Sequence, residues 1–418
     1  MTQHLPPATT LSRRRLLALS AVTAVTGLEL VSTAAPATAS SRSALAARPL
    51  TGLPADSGRL TLPAPTGPER IGTVSLHLVD PARTDPWTPS HPTRELMVQI
   101  WYPAQSVRGY PAAPWLSTGA VPHFEQGWGM PAGLVRWPAS HGHLGAPVEQ
   151  GRPRPVVLYS PGYSMDRNSS TTLVEELASH GYIVVTIDHT HDSPEVEFPG
   201  GRIETGTVPE HPTEQVMAQE TGVRAADARF VLDQLAALDA GRNPDAEQRP
   251  LPSGLRGAFD LARIGMFGHS LGGCTAAATM HDDPRVKAGL SLDGPFVGAA
   301  ATAGSDLPFL LLTSDHDDAF AGWDVFWENQ RGPKLQLRLT GSTHGSFTDG
   351  EVLYPQLAPV LELTAEQVVE QIGSGDPQRS VRVQRTYIRA FFDLHLRHHD
   401  SGLLHAPSPR YPEIRFVR

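Results

Sequence analysis

The sequence predicts an α/β domain on a mostly parallel central sheet, with antiparallel N-terminal strands and helices on both faces. Three observations predict it. Short apolar runs, mostly continuous rather than alternating, recur between residues 155 and 341; helix-length segments separate several of them; and two alternating runs precede them. Continuous runs suit strands covered on both faces. Strands interleaved with helices give the α/β class.

The elements follow in order. "GTVSLHLVD" and "RELMVQIWYP" alternate apolar and polar, as half-buried antiparallel strands do. Residues 103–154 are rich in Pro, Gly and Trp and carry Trp115, Phe124, Trp128 and Trp137, which predicts a structured aromatic insertion and a candidate pocket wall. The strand runs are then "PVVLYS", "YIVVTID", "RIGMFG", "VKAGLSLD", "FLLLTS" and "LQLRLTG". "TTLVEELASH", "EQVMAQETGVRAADARFVLDQLAAL" and "LGGCTAAATM" supply helices between them. Near the end, "RTYIRAFFDLHLRHH" sets Tyr387, Ile388, Phe391 and Leu394 along one helical stripe. Residues 191–212 and 240–258 are polar and punctuated by Pro and Gly. The first stretch follows a strand ending at Asp188, on the edge where such sheets bind ligands, and reads as a candidate mobile cover.

The chain of 418 residues divides into three parts. Residues 1–39 join Arg13, Arg14 and Arg15, a mildly apolar stretch and Ala37-Thr38-Ala39, the three parts of an export signal. Ser12 followed by paired arginines points to the bacterial twin-arginine route, hence to a secreted protein. The apolar stretch holds several Thr and Ser and reaches Glu29, so no stable membrane span is expected. Residues 40–66 read as a flexible linker and 67–418 as one catalytic domain. Without residues 1–39 the chain keeps 31 basic and 42 acidic side chains, a net charge of -11. That balance, with Lys287 and Lys334 the only lysines, excludes nucleic acid as an expected partner. Cys274 stands alone and can form no internal disulfide.

The chemistry centres on "GMFGHSLGG". Gly268-His269-Ser270-Leu271-Gly272 is a G-x-S-x-G pentapeptide between the strand "RIGMF" and the helix "LGGCTAAATM". On such a turn the serine is strained and exposed at a helix N-terminus, and side chains two positions either side of it would collide. A serine hydroxyl needs a base, and the base an orienting group. Among the downstream histidines His344, in "LQLRLTGSTHGSF", follows the last apolar strand, whereas His281 lies within the helix after the serine and cannot turn back. Two strand ends offer the acid: Asp293 after "VKAGLSL", or Asp315, Asp317 and Asp318 after "FLLLTS". Spacing does not choose between them. The oxyanion would take the backbone N–H of Leu271 and that of Tyr163 in "SPGY".

With these residues assembled, the chain resembles the α/β-hydrolase superfamily, and within it the plasma-type platelet-activating-factor acetylhydrolase family and its bacterial relatives. "QIWYPA", "LYSPGY", "ELASHGYIVVTIDH", "RAADARFVLDQL", "GHSLGG", "GLSLDGPF", "STHGSFTD" and "AFFDLHL" carry the likeness from about residue 70 to 400. The resemblance implies an α/β-hydrolase fold and a triad of Ser270, Asp293 and His344, with Tyr163 and Leu271 as oxyanion donors. One departure is Pro161, where that family often has a histidine. "SPGY" and "ASHGYIVVTID" also resemble cutinase-like polyester hydrolases, whose acid position Asp317 would match; their frequent C-terminal disulfide is impossible with one cysteine.

The expectation is therefore a serine esterase that needs no cofactor and no metal, acting on small-molecule, lipid or polyester esters. "DHTHDS" lacks a recognised metal-ligand spacing. An acyltransferase or amidase could use the same triad, because acceptor choice lies in pocket shape. A silent member of the fold used for binding would have no need of an intact Ser270, His344 and acid.

Overall fold

The computed structural model describes residues 58–90, 93–316, 320 and 322–418. The export signal, most of the linker and Asp317 lie outside the described residues.

The first half of the chain contributes β1 (Ile71–Asp80), β2 (Arg94–Pro103), β3 (Ala112–Pro114), α1 (Val121–Gly127), β4 (Ala139–Leu144), β5 (Arg154–Ser160), α2 (Thr171–Ser179) and β6 (Ile183–Asp188). A short hairpin follows, β7 (Glu195–Phe198) and β8 (Arg202–Thr205), then the long helix α3 (Glu214–Asp239). The second half alternates strand and helix: β9 (Phe259–His269), α4 (Leu271–Asp282), β10 (Val286–Leu292), α5 (Ala299–Thr302), β11 (Phe309–Thr313), α6 (Trp323–Asn329) and β12 (Lys334–Leu339). It closes with α7 (Gly350–Leu361), α8 (Ala365–Ile372), α9 (Pro377–Arg397) and the edge strand β13 (Ile414–Phe416).

The main sheet has eleven strands in the order β13-β12-β11-β10-β9-β5-β6-β2-β1-β4-β3. From β6 to β12 every neighbouring pair is parallel. β2 joins β6 and β1 antiparallel, as the alternating runs predict. Alternate residues of one strand enter different cores. Val156 and Leu158 of β5 pack with Val231, Leu232 and Leu235 of α3, whereas Val157 and Tyr159 pack with Leu173 of α2 and with Tyr387 and Phe391 of α9. Helices thus cover both faces. The continuous apolar runs follow directly, since no strand in the middle of the sheet has a wet side.

Three readings gain detail. Leu60 and Leu62 are buried, and Thr66 donates its N–H and hydroxyl to Glu176, so the packed domain begins near residue 60 rather than 67. Within residues 191–212, the β7–β8 hairpin over 195–205 is seated by Val196 and Phe198 on Met97. The insertion aromatics mainly pack on each other: Trp115 stacks on Trp137 with centroids 5.3 Å apart, Phe124 stands edge-on to both, and Trp128 meets Tyr354 of α7. They form a satellite core over α7, and Trp115 with residues 116–118 also lines a cavity beside Asp166 and Arg167, as a pocket wall would. Among the described residues no helix is long and apolar enough to cross a membrane.

Candidate active site

All the candidate groups stand at the C-terminal ends of adjacent parallel strands. β9 ends at His269 and α4 begins at Leu271, leaving Ser270 alone to make the turn, at φ 53° and ψ -125°. That conformation costs a non-glycine residue of order 1–3 kcal/mol. The flanking glycines make the bend possible: a Cβ on Gly272 would lie 2.0 Å from the Ser160 carbonyl oxygen, and one on Gly268 would lie 2.2 Å from the Gly272 carbonyl carbon. The Ser270 N–H donates to the Leu292 carbonyl at 2.8 Å, which ties the turn to the end of β10.

The next residue along β10 is Asp293, fully buried and also at a positive φ of 53°. Its N–H donates to the Leu312 carbonyl, linking it in turn to β11. The Ser314 N–H donates to Oδ1 and the Ser314 hydroxyl to Oδ2, each at 2.8 Å. His344, opening a 3-10 turn over His344–Phe347, donates Nδ1–H to the same Oδ2 at 2.8 Å. Burial raises the Asp293 pKa, but His316, His344 and Ser314 outweigh it and hold this carboxyl well below the ordinary range. The carboxylate is therefore an anion at neutral pH, and it orients His344 by accepting the proton on Nδ1. Among the described residues the Ser270 hydroxyl has no hydrogen-bond partner.

Asp315, an alternative acid, is engaged elsewhere, its Oδ2 accepting the Gly341 N–H at 2.8 Å. Leu271 N and Tyr163 N, the two predicted oxyanion donors, give their protons to no protein acceptor among the described residues. A Cβ on Gly162 would sit 3.3 Å from the Ser270 Cβ, so the loop that carries Tyr163 lies directly against the serine.

Two further histidines, His269 and His316, join the site without a signal of role in the sequence. His269 donates Nε2–H to the His344 carbonyl at 3.0 Å, with its ring 4.5 Å from the His344 ring. Burial first, and then the neighbouring His344, push its pKa down to about 3, so it stays neutral. His316 brings Nε2 to 3.5 Å from Asp293 Oδ1 and stacks on Trp323, while Phe320 meets His344 edge-on. His269 occupied a variable position of the pentapeptide, which was its one available signal. His316 stood between candidate acids, and nothing in its spacing set it apart. The "DHTHDS" residues are engaged within the protein, His189 through a hydrogen bond of Nδ1 to Asp227 and Asp192 through an ion pair with Arg224.

The family model described as platelet-activating factor acetylhydrolase, isoform II, matches residues 55–402. A probable 1-alkyl-2-acetylglycerophosphocholine esterase of Arthroderma benhamiae is 28% identical over 388 residues, 85% of this chain and 93% of that protein. A platelet-activating factor acetylhydrolase of Cavia porcellus is 23% identical over 335 residues, 70% of each chain. A solved structure of a ferulic acid esterase from Streptomyces cinnamoneus superposes with a TM-score of 0.70 at 36% identity, covering 86% of this chain and 99% of its own.

Proposed function

Because the chain belongs to the platelet-activating factor acetylhydrolase isoform II family and is an esterase of the α/β-hydrolase fold, we propose that it cleaves short-acyl carboxylic esters through Ser270, His344 and Asp293. The contact of His344 Nδ1 with Asp293 at 2.8 Å, beside a serine strained to φ 53°, carries this reading. His344 Nε2 takes the Ser270 proton as Oγ bonds to the ester carbonyl carbon. The oxyanion rests on the Tyr163 and Leu271 amides. The carbonyl–alkoxide bond breaks, the alcohol leaves with the proton from His344, and water repeats the cycle on the acyl-enzyme.

The family and the named relatives support an acetyl-sized acyl group. A series of p-nitrophenyl esters tests it: kcat/KM should fall by about tenfold or more from acetyl to octanoyl, the discrimination that a few apolar methylenes support. A second reading has its own observation. His316, Phe320 and Trp323 gather aromatic rings beside His344, and the structural relative at 36% identity is named a ferulic acid esterase. Preference for methyl ferulate over p-nitrophenyl acetate and over a short-acyl phospholipid would favour that reading. Rapid turnover of polyester film would favour the cutinase-like one.

Export is part of the proposal. Protein recovered from the medium of a bacterial host should begin at Ser40, and changing Arg13 and Arg14 to lysine should leave it inside the cell. Equal secretion of that variant by the same host would remove the twin-arginine route.

A further inference from the structure

The stretches "RAADARFVLDQL" and "TIDH" do nothing in the reaction as described, yet they place a fully buried charge network directly beneath the loop that carries Tyr163. Arg224 of α3 is wholly buried. Its guanidinium donates Nη1–H to the Pro161 carbonyl at 2.6 Å, Nη2–H to the Gly162 carbonyl at 2.9 Å and Nε–H to Asp192 Oδ2 at 2.6 Å. The other Asp192 oxygen accepts the Ser164 N–H at 2.8 Å. His189, just after β6, holds Asp227 through Nδ1 at 3.0 Å and faces the hydroxyl of Ser160, the residue before the loop, through Nε2 at 2.9 Å. Asp227 is in turn gripped by Arg94 at 2.7 Å.

From Ser160 to Ser164, each residue but Tyr163 gives a backbone or side-chain polar group to this network. The exception is informative. A trans peptide is planar, so its C=O and the following N–H point in opposite directions, and there is no cis peptide bond among the described residues. Fixing the Gly162 carbonyl on Arg224 therefore turns the Tyr163 N–H away from the network, leaving it without a protein acceptor. Pro161 has no N–H of its own, so the grip on this part of the loop passes through carbonyls, which a guanidinium fork suits. Glu220, the third carboxyl near Arg224, is pushed up to about 9 by burial and by Asp192, so Asp192 is the anion that balances the arginine at neutral pH.

We propose that Arg224, held by Asp192, is a positioning residue that aims the Tyr163 amide at the oxyanion by gripping the carbonyls of Pro161 and Gly162. This rests on the reading of Ser270 as nucleophile and of Tyr163 as oxyanion donor. A positioning role predicts loss of transition-state binding with ground-state binding kept.

The test compares wild type with Arg224→Lys, which keeps a cation beside Asp192 but cannot hold two carbonyls in a fork, and with the charge-free pair Arg224→Gln/Asp192→Asn. Thermal unfolding, kcat and KM on p-nitrophenyl acetate, and affinity for a trifluoromethyl ketone that forms a tetrahedral adduct are measured on each. The expected result is a folded Arg224→Lys protein with kcat lower by about 10- to 100-fold, KM within about threefold, and ketone affinity reduced in parallel with kcat/KM. A folded variant with wild-type kcat, or one whose ketone affinity is unchanged, overturns the proposal. So does failure of both variants to fold, which would make Arg224 a residue of the fold alone. Ser270→Ala is the control that separates the two claims: if it stays active, the reading of the site falls; if it is inactive while Arg224→Lys is unimpaired, this proposal falls alone.

Discussion

Ser270→Ala is expected to lower kcat on p-nitrophenyl acetate by roughly 10⁴- to 10⁶-fold while leaving the thermal unfolding transition in place. The loss is large because no other group can form the acyl bond from this turn. The residual rate would come from the oxyanion amides and from binding, neither of which the substitution touches. The fold should persist because the Ser270 hydroxyl donates to nothing among the described residues, and alanine occupies the same strained backbone at similar cost. A variant that keeps a tenth or more of the wild-type rate would show that another nucleophile operates.

The second large effect is expected at Asp293. Asp293→Asn should reduce kcat by about 10⁴-fold, whereas Asp317→Asn should cost less than about tenfold. Both Asp293 oxygens accept: Oδ1 takes the Ser314 N–H, and Oδ2 takes the Ser314 hydroxyl and His344 Nδ1–H. An amide group must put a donor where one of these oxygens was. If it faces His344, the ring switches its proton to Nε2 and loses the lone pair that would receive the Ser270 proton. If it faces Ser314 instead, a backbone N–H is left buried against a donor. The same carboxylate links activity to acid stability. Its folded pKa lies below the unfolded carboxylate value, so its contribution is complete above that unfolded value of about 3.9 and is lost as pH falls through the folded one. Wild type should therefore lose more stability than Asp293→Asn on going from pH 5 to pH 2. The reverse ranking of the two aspartate variants would move the acid to the end of the following strand.

Where local geometry dictates residue type, the sequence was legible. The bend at Ser270 excludes Cβ atoms at 268 and 272, so two glycines at that spacing announce it. The parallel strands show as unbroken apolar runs because helices cover both sheet faces. Other elements gave weaker signals. α7 contains Pro355 and Pro359, which read as breakers, although it runs continuously from Gly350 to Leu361. β7 and β8 are "EVEF" and "RIET", too short and too charged to stand out. Spacing does not choose the acid because β10 and β11 are neighbours and each is followed within two residues by an aspartate, Asp293 and Asp315. Hardest of all was the charge network. Glu220, Arg224 and Asp227 lie on one long helix, where charged residues ordinarily mark the solvent face, and only the packing of α3 under the 160–164 loop turns them inward.

The most direct measurement is intact-mass analysis of protein quenched during turnover of a p-nitrophenyl ester, with peptide mapping of any adduct. One acyl group is expected on the peptide containing Ser270, prevented by prior treatment with a fluorophosphonate and missing from Ser270→Ala. An acyl group carried on a different residue, or full turnover by protein that a fluorophosphonate does not modify at Ser270, would contradict it.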